Sequence, residues 1–111
     1  MTTIAYTTAK QQQMPAATDL LYTCPLAATS AHVAYSNATS ITTGVVTLTV
    51  NKTPLAGVSM YLLNGKPLAA KGTDNLFELA NQTLGPGDTV YAHCSAASSV
   101  DLEITFKEIY E

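Results

Sequence analysis

The chain has 111 residues, of which 47% are hydrophobic and only 12% charged, with a net charge of -3 and no arginine. This length and apolar content fit one compact domain with a real core. Its five lysines are scattered, whereas binding to a phosphate backbone requires clustered cations, so the composition argues against a nucleic-acid partner. The low charge leaves much of the surface neutral, which suits contact with other protein copies.

The sequence also gives no sign of a membrane partner or an export signal. No apolar run approaches the roughly 18 to 20 residues that cross a bilayer, and the N-terminus lacks a basic segment followed by an apolar one. We therefore expect the protein to act without secretion. In that setting, the three glycosylation-type tripeptides that begin at Asn37, Asn51 and Asn81 are interpreted as coincidence in a chain rich in Thr and Asn.

Residues 1–19 differ in pattern from the rest of the chain. They show no sustained alternation, they contain a polar run, and Pro15 precedes the first convincing strand. This pattern predicts an N-terminal arm, 1–19, followed by a β-sandwich domain, 20–111. Ile4, Tyr6 and Met14 are apolar residues outside the expected core, and such residues commonly mark a contact surface. They are the candidate partner-binding residues, on an arm that either docks on a neighbouring copy or remains a loose tail.

After the arm, hydrophobic residues recur with the period of two that is typical of half-buried strands. The first strand is predicted at "LLYTC", residues 20–24, and the next at "AHVAYS", with Ala31, Val33 and Tyr35 on one face. The clearest inward sets lie in "TGVVTLTVN" and "SVDLEITFKEIYE". They are Val46, Leu48 and Val50 in the former, and Val100, Leu102, Ile104 and Phe106 in the latter.

The middle of the chain carries turn signals. In "GVSMYLL" the alternation places Val58, Met60 and Leu62 together, and Asn64-Gly65 then predicts a hairpin, because a type I′ turn requires positive φ at both central residues. Pro67 cannot donate to a ladder, so the following strand is expected at a sheet edge.

Two further segments have ambiguous periodicity. Residues 73–84 suit either a helix capped by Asp74 or a strand around Leu76 to Leu79, and the strand-rich context favours the strand. At the C-terminus, Glu108-Ile109 breaks the alternation, which predicts a bulge near Lys107 or Glu108 that returns Ile109 to the core.

Short, evenly spaced strands without convincing helices define the fold class. The pattern predicts an all-β protein, an antiparallel two-sheet β-sandwich or jelly-roll-like barrel with an extended N-terminal arm. In such a fold a β-strand points neighbouring side chains to opposite faces.

That geometry bears on the one segment that resembles a reactive site, "LGPGDTVYAHCS". Alternation places Cys94 on the face of Val90 and Ala92, and His93 on the opposite face, so the pair is not expected to share a metal or act as base and nucleophile. The preceding Gly-Pro-Gly-Asp has a structural explanation, because Gly87 supplies positive φ and Asp88 accepts backbone N–H groups.

No other constellation of residues indicates an enzyme, a metal or another cofactor. The sequence contains no nucleophile elbow, phosphate loop, His-Glu-x-x-His or Cys-x-x-Cys motif. A zinc site from Cys24, His32, His93 and Cys94 matches no standard spacing, and core cysteines with surface histidines are the favoured interpretation. The two cysteines are expected to be free, buried thiols rather than one disulfide, as befits a protein assembled in reducing cytoplasm.

Four turn and strand motifs carry a resemblance to a known class of proteins. They are Leu-Tyr-Thr-Cys-Pro at 21–25, Asn37 to Thr39, Leu-Gly-Pro-Gly-Asp-Thr-Val at 84–90, and Glu108 with Ile109. Together they make the chain after Asp19 resemble the small β-sandwich structural proteins of tailed bacteriophages, among which are head decoration or cement proteins, neck and tail proteins, and fibre-attached domains.

The resemblance implies a non-enzymatic component of the virion, assembled in the host cytoplasm. The implied function is that of a capsid decoration protein that bridges and stabilises subunits of the major capsid protein, as a homo-oligomer and preferably a trimer. The alternatives are a neck, tail or fibre-associated protein that contacts other virion proteins, or a carbohydrate-binding module for the host surface. For the latter, the chain offers no Trp, but Tyr61 and Tyr91 are expected on outer faces.

Overall fold

The alternating segments form nine β-strands, and the computed structural model describes all residues, 1–111. One turn of 3₁₀ helix, Phe77–Leu79, interrupts them. The strands are β1 (Thr3–Gln11), β2 (Asp19–Thr23), β3 (Ser30–Ser40), β4 (Val46–Thr53), β5 (Met60–Leu68), β6 (Thr73–Asp74), β7 (Thr83–Leu84), β8 (Thr89–Cys94) and β9 (Val100–Tyr110).

The strands assemble into two antiparallel sheets. The first sheet has the order β1-β9-β3-β6, with the short β7 also paired to β3, and the second has the order β2-β8-β4-β5. The chain crosses from one sheet to the other between most successive strands, and the last strand, β9, lies between β1 and β3. This is the wrapped connectivity of a jelly roll. The predicted all-β, two-sheet sandwich is therefore confirmed, in its jelly-roll form.

The core lies between the sheets and is built from the predicted inward sets of β4 and β9. All seven of those residues are buried, while the intervening residues of β9 are only partly exposed. Phe106 is fully buried and stacks on Tyr22 of β2, with ring centroids 3.8 Å apart. The two sheets thus meet through aromatic and aliphatic side chains, as period-two alternation requires.

The expected arm begins with a strand of the first sheet. β1 pairs antiparallel with β9 along its whole length, from Thr3 opposite Tyr110 to Gln11 opposite Leu102. Its pattern is unusual because the outward positions carry Ile4 and Tyr6, whereas the inward positions carry small or polar residues such as Ala5 and Thr7. Residues 3–11 therefore lie within the sandwich in this structure, and not on an extension outside it.

The predicted hairpin at Asn64-Gly65 is wrong. β5 continues through these residues, and its pairing with β4 shifts between Leu48 opposite Lys66 and Val50 opposite Leu63. Gly65 has φ of 69° and its N–H donates to Thr49 Oγ1 at 3.1 Å, so the positive φ forms a bulge and not a turn. The expected edge position of Pro67 is confirmed, since β5 is the outermost strand of its sheet.

Bulges also overturn two predicted faces. In β3 the register shifts between Val33 and Tyr35, so Tyr35 points outward and Ser36 is buried in its place. In β5, Met60 is exposed and Leu63 is buried, on either side of the shift in pairing with β4, whereas Val58 lies before the strand and is exposed. One extra residue reverses the facing of every side chain beyond it.

The strand expected around Leu76 to Leu79 is also wrong, because this stretch forms the 3₁₀ turn. Leu76 precedes the turn in the left-handed conformation, with φ of 54°, and buries its side chain completely. Leu79 is buried as well, so the segment is anchored by two leucines rather than by pairing along a sheet.

The predicted bulge near Lys107 or Glu108 is absent as well. β9 pairs with β1 without a shift through Ile109, so Glu108 occupies an inward position and Ile109 points outward. The sequence therefore places a carboxyl group, and not an isoleucine, between the sheets.

A charged cluster closes one side of the sandwich. Lys66 Nζ of β5 lies 3.0 Å from Asp74 Oδ1 of β6 and 2.8 Å from Glu78 Oε1 in the 3₁₀ turn. Asp74 Oδ1 also accepts the N–H of Leu76 at 2.7 Å. The cluster therefore ties the edge of the second sheet to the edge of the first.

Candidate functional site

The structure places Ile4 and Tyr6 on the outer face of the first sheet. Ile4 lies opposite Ile109, and Tyr6 lies opposite Lys107, both on β9. The Tyr6 side chain is 65% exposed, and Ile4 is exposed as well. The two residues form an apolar strip at the edge of the sheet, next to the free edge of β1. This strip is exposed to solvent and belongs to a strand, and its use as a partner contact stays a prediction.

Met14, the third candidate contact residue, lies in the core. Its side chain is 0% exposed, and its N–H donates to the Val100 carbonyl at 2.8 Å. The Met14 carbonyl in turn accepts the N–H of Ser98 at 2.9 Å. Met14 therefore anchors the segment between β1 and β2 and presents nothing to a partner in this conformation. Only Ile4 and Tyr6 remain as exposed candidates.

The Gly-Pro-Gly-Asp corner joins three loops at one end of the sandwich. The Asp88 carboxylate accepts the N–H groups of Gly85 at 2.8 Å and Leu55 at 3.0 Å, which is the role predicted for it. Gly87 has φ of 83°, and a Cβ there would lie 2.9 Å from Leu55 Cδ2 and 3.2 Å from Leu26 Cδ2. The corner thus holds two exposed leucines at this end of the molecule.

His93 and Cys94 face opposite sides of the second sheet, as alternation predicts. Cys94 is buried, whereas His93 Nδ1 lies 3.2 Å from Thr18 Oγ1 on the outer side. His32 belongs to the other sheet and lies 3.2 Å from both Ser30 Oγ and Thr83 Oγ1. The four residues considered for a zinc site are therefore not brought together, and no cluster of three or more potential metal ligands is present.

An apolar groove lies beside the 3₁₀ turn. It has a volume of about 270 Å³ and is lined by residues of β3 and of the segment that follows β6. Tyr35 and Phe77 form its rim, and Phe77 is 78% exposed. Both rings point outward because of local irregularities, the bulge in β3 and the left-handed Leu76. Sequence reasoning missed this groove, since it depends on the bulge and on a 3₁₀ turn that was predicted as a strand.

A buried polar cluster links the two sheets near the C-terminus. Glu108 is 4% exposed, its Oε2 accepts a hydrogen bond from the Tyr22 hydroxyl, and its Oε1 accepts one from the Tyr110 hydroxyl at 2.9 Å. Ala5 and Ala31 lie opposite Glu108 on the neighbouring strands and leave room for its side chain. Sequence reasoning missed the cluster because it expected a bulge that would place Ile109, and not Glu108, in the core.

Burial and the Glu108 carboxylate raise the pKa values of three groups in and near this cluster. Burial, and then the hydrogen bond to Glu108, raises the pKa of Tyr22 far above its usual value, and the hydrogen bond to Glu108 also raises the pKa of Tyr110. Burial raises the pKa of the Cys24 thiol, to which the nearby Glu108 and Asp88 also contribute. Both cysteines are free and buried, as expected, and the thiol of Cys24 is therefore a poor nucleophile.

No helix in the structure has the length and apolar character needed to cross a membrane.

No family model matches the sequence, and no curated protein matches it either. Solved structures do share the fold. A chain of the T13 particle of infectious bursal disease virus aligns with a TM-score of 0.56 and 10% identity, over 99% of this chain and 31% of the viral one. A chain of the Gx strain of that virus aligns with a TM-score of 0.51 and 12% identity, over 97% and 32%.

A pilus chain from the endospore appendages of Bacillus aligns with a TM-score of 0.49 and 17% identity, over 99% of this chain and 89% of the appendage chain. This chain spans about a third of the length of the viral chains. At such identities the two viral alignments show a common β fold, of the kind found in a virus particle, and leave the function to be argued from the surface.

Proposed function

We propose that this protein is a non-enzymatic structural component of a virus particle. Its jelly roll would serve as a rigid body whose surface, rather than any catalytic group, performs the function. The most specific form of the proposal is a capsid decoration protein of a tailed bacteriophage. Several copies, preferably as trimers, would bridge subunits of the major capsid protein and oppose their separation.

The observation that carries the proposal is the number of large apolar side chains on the surface. Exposed large hydrophobic residues are as numerous as the charged residues of the whole chain. A core of 22 buried hydrophobic residues lies beneath them, and these side chains lie outside it. A soluble domain that acts alone usually carries a more charged and less apolar surface. Such a surface is suited to burial against other proteins in an assembly.

Two further observations support a virion. The viral chains that share this fold come from virus particles, and the turn motifs at 21–25 and 84–90 resemble those of small phage structural proteins. The former supports a particle component in general, and the latter supports a bacteriophage in particular.

The apolar strip of Ile4 and Tyr6 is the proposed point of attachment. It lies on the outermost strand of the first sheet, where the backbone groups along the free edge of β1 are also available to a partner. A contact of this kind would bury side chains across the joint between two capsid subunits. The area buried there would raise the free energy needed to separate them.

The first experiment tests the location. Particles are purified from the biological source of the chain, and copies of the protein per copy of the major capsid protein are counted by quantitative mass spectrometry. A decoration protein is expected in a fixed, high ratio to the capsid protein. A few copies per particle would instead indicate a neck, tail or fibre position, and complete absence from particles would contradict the proposal.

The second experiment tests the attachment point. Particles stripped of the protein are incubated with wild-type protein or with the Tyr6→Lys variant, and binding is measured by co-sedimentation. We expect the variant to bind at least about tenfold more weakly, a loss of ~1.4 kcal/mol. Thr8→Lys, two residues along the same outer face, is the control and should bind normally. Equal binding by all three proteins would exclude this strip as the contact.

A further inference from the structure

The outer face of the second sheet is free of formal charge. Its outward residues are set by the alternation of β2, β8, β4 and β5 and by their registers. Three charged residues belong to these strands, but their charged groups lie away from this face. Asp19 is opposite the inward Ala92 and accepts a hydrogen bond from Gln11 of the first sheet. The amino groups of Lys52 and Lys66 reach to Thr83 O and to Asp74 and Glu78. The outward residues are Leu20, Thr23, Thr47, Thr49, Asn51, Thr53, Tyr61, Pro67, Thr89, Tyr91 and His93.

Two tyrosines flank an asparagine in the middle of this face. Asn51 of β4 lies opposite Tyr91 of β8 on one side and opposite Tyr61 of β5 on the other. The two tyrosines therefore stand two strands apart, about 10 Å at the usual strand spacing. Tyr61 is 64% exposed and Tyr91 is partly exposed. We call this row, Tyr61, Asn51 and Tyr91, the tyrosine platform.

A bulge places Tyr61 in the row. Val50 pairs with Leu63, so regular pairing would set Leu62 opposite Asn51, but the register shifts by one residue and Tyr61 occupies that position. Leu62 then packs against the core. Bulges commonly re-aim a side chain next to a functional site. Here the irregularity exchanges an aliphatic side chain for an exposed aromatic ring beside Asn51.

Asn51 also has an unfilled hydrogen-bonding capacity. Its Oδ1 is buried and has no partner, and only Ser40 Oγ shares that condition among the buried side-chain oxygens and nitrogens of the protein. An unpaired buried acceptor costs free energy that a donor would recover. A ligand donor reaches this covered oxygen only when a neighbouring side chain moves aside, and a hydroxyl or another neutral donor between the two rings would then satisfy it.

We propose that the tyrosine platform binds a neutral saccharide. Sugar rings offer apolar faces that stack on exposed tyrosine rings, and their hydroxyl groups can donate to the unpaired Asn51 Oδ1 once it is uncovered. Thr23 and Thr47 add hydroxyl groups to the same outer face. The uncharged face matches an uncharged ligand, and its lack of cations disfavours phosphorylated or nucleic-acid ligands.

The test uses purified protein labelled with ¹⁵N and three neutral probes: maltohexaose, cellohexaose and N,N′-acetylated chitohexaose. We expect at least one of them to cause saturable shifts of amide signals in β4, β5 and β8. Tyr61→Ala and Tyr91→Ala should each weaken that binding at least about tenfold. Tyr61→Phe, which keeps the ring, should retain most of it.

Tyr6→Ala is the matched control, because Tyr6 is as exposed as Tyr61 but lies on the opposite face of the sandwich. Its binding should equal that of the wild type. The proposal would be overturned by an absence of shifts on this face with all three probes, or by equal losses in the Tyr6 and Tyr61 variants. It would also be overturned if light scattering showed a dimer that Tyr61→Ala dissociates while no probe binds, since the face would then be an interface between copies. Because the assay contains no particle, its outcome is independent of the proposed attachment to capsids.

Discussion

The outer faces of the two sheets expose different kinds of side chain to solvent. The first sheet carries Lys10, Asp101, Glu103 and Lys107 on its outer face, and Lys10 Nζ lies 3.6 Å from Glu103 Oε2. The second sheet carries threonine, tyrosine and asparagine, with no formal charge on the corresponding face. Both faces nevertheless cover the same core.

The difference teaches that folding does not dictate the chemistry of these faces. A sandwich requires only that outward residues tolerate water, and threonine satisfies that requirement as well as lysine does. The neutral, aromatic surface of the second face is therefore the feature that calls for a functional explanation, and the proposed saccharide platform gives one.

The largest expected effect concerns the core that the two faces share. Leu102→Ala, beneath the charged face, and Leu48→Ala, beneath the neutral face, should each lower the free energy of unfolding by about 2 to 5 kcal/mol through lost burial and a new cavity. Chemical denaturation checks both values. If only one variant lost less than about 1 kcal/mol of the free energy of unfolding, its sheet would be packed loosely on the core. The two sheets would then not share one core, as the comparison of their faces assumes.

The second effect concerns the hydrogen bonds that join the sheets. Glu108→Ala removes the acceptor of the Tyr22 and Tyr110 hydroxyls, and the buried Tyr22 hydroxyl then lacks a partner. We expect a loss of about 1 to 3 kcal/mol in the free energy of unfolding.

Glu108→Gln, which keeps an acceptor oxygen of similar reach, is the control and should lose less. The double variant Glu108→Ala with Tyr22→Phe should lose less than the sum of the single losses, because the unpaired hydroxyl is also removed. Strict additivity would show that this bond does not couple the charged and neutral sheets.

Sequence predicted the sheets well where alternation is uninterrupted. The inward sets of β4 and β9 are correct because each strand keeps one face buried along most of its length. The errors lie where one residue is inserted or where a strand lacks the usual pattern. Tyr35 was misassigned by the bulge in β3, and β1 was missed because its inward residues are small.

The candidate site was predictable only in part, for the same physical reason. Ile4 and Tyr6 were predicted to be exposed because they do not belong to the predicted inward sets. Met14 does not belong to them either, yet it is fully buried. Tyr91 is placed outward by alternation alone. Tyr61 was also expected on an outer face, but its position opposite Asn51 depends on a bulge that the local pattern does not predict.

A smaller effect on stability is expected from the charged cluster of Lys66, Asp74 and Glu78. This cluster joins the edge of the second sheet to the adjacent edge of the first. Lys66→Met should lower the free energy of unfolding by no more than about 1 kcal/mol, because the carboxylates are partly exposed and solvent screens them. A loss comparable with that of Glu108→Ala would contradict the view that the buried bond is the stronger connection.

This effect should depend on pH. The N–H of Leu76 and then Lys66 lower the pKa of Asp74, and Lys66 lowers that of Glu78. Their contribution is therefore present above the ordinary carboxyl pKa of about 4 and is lost as the pH falls through the lower folded values. The difference between wild type and Lys66→Met should accordingly shrink in acid. Denaturation curves at pH 7 and pH 3 test this, and an unchanged difference would exclude the ion pairs as its source.

The smallest effect on stability, and the sharpest test of the comparison, comes from placing the same charge on each face. Tyr6→Lys and Tyr61→Lys replace equally exposed tyrosines on the charged and neutral faces, so each should change the free energy of unfolding by at most about 0.5 kcal/mol. Their functional effects should separate. Tyr6→Lys should weaken attachment to particles and leave oligosaccharide shifts intact. Tyr61→Lys should do the reverse, because the stacking ring is replaced by an ammonium group that a bound sugar would have to desolvate. If both variants impaired the same activity, the two faces would act as one surface, and the division of function between them would be wrong.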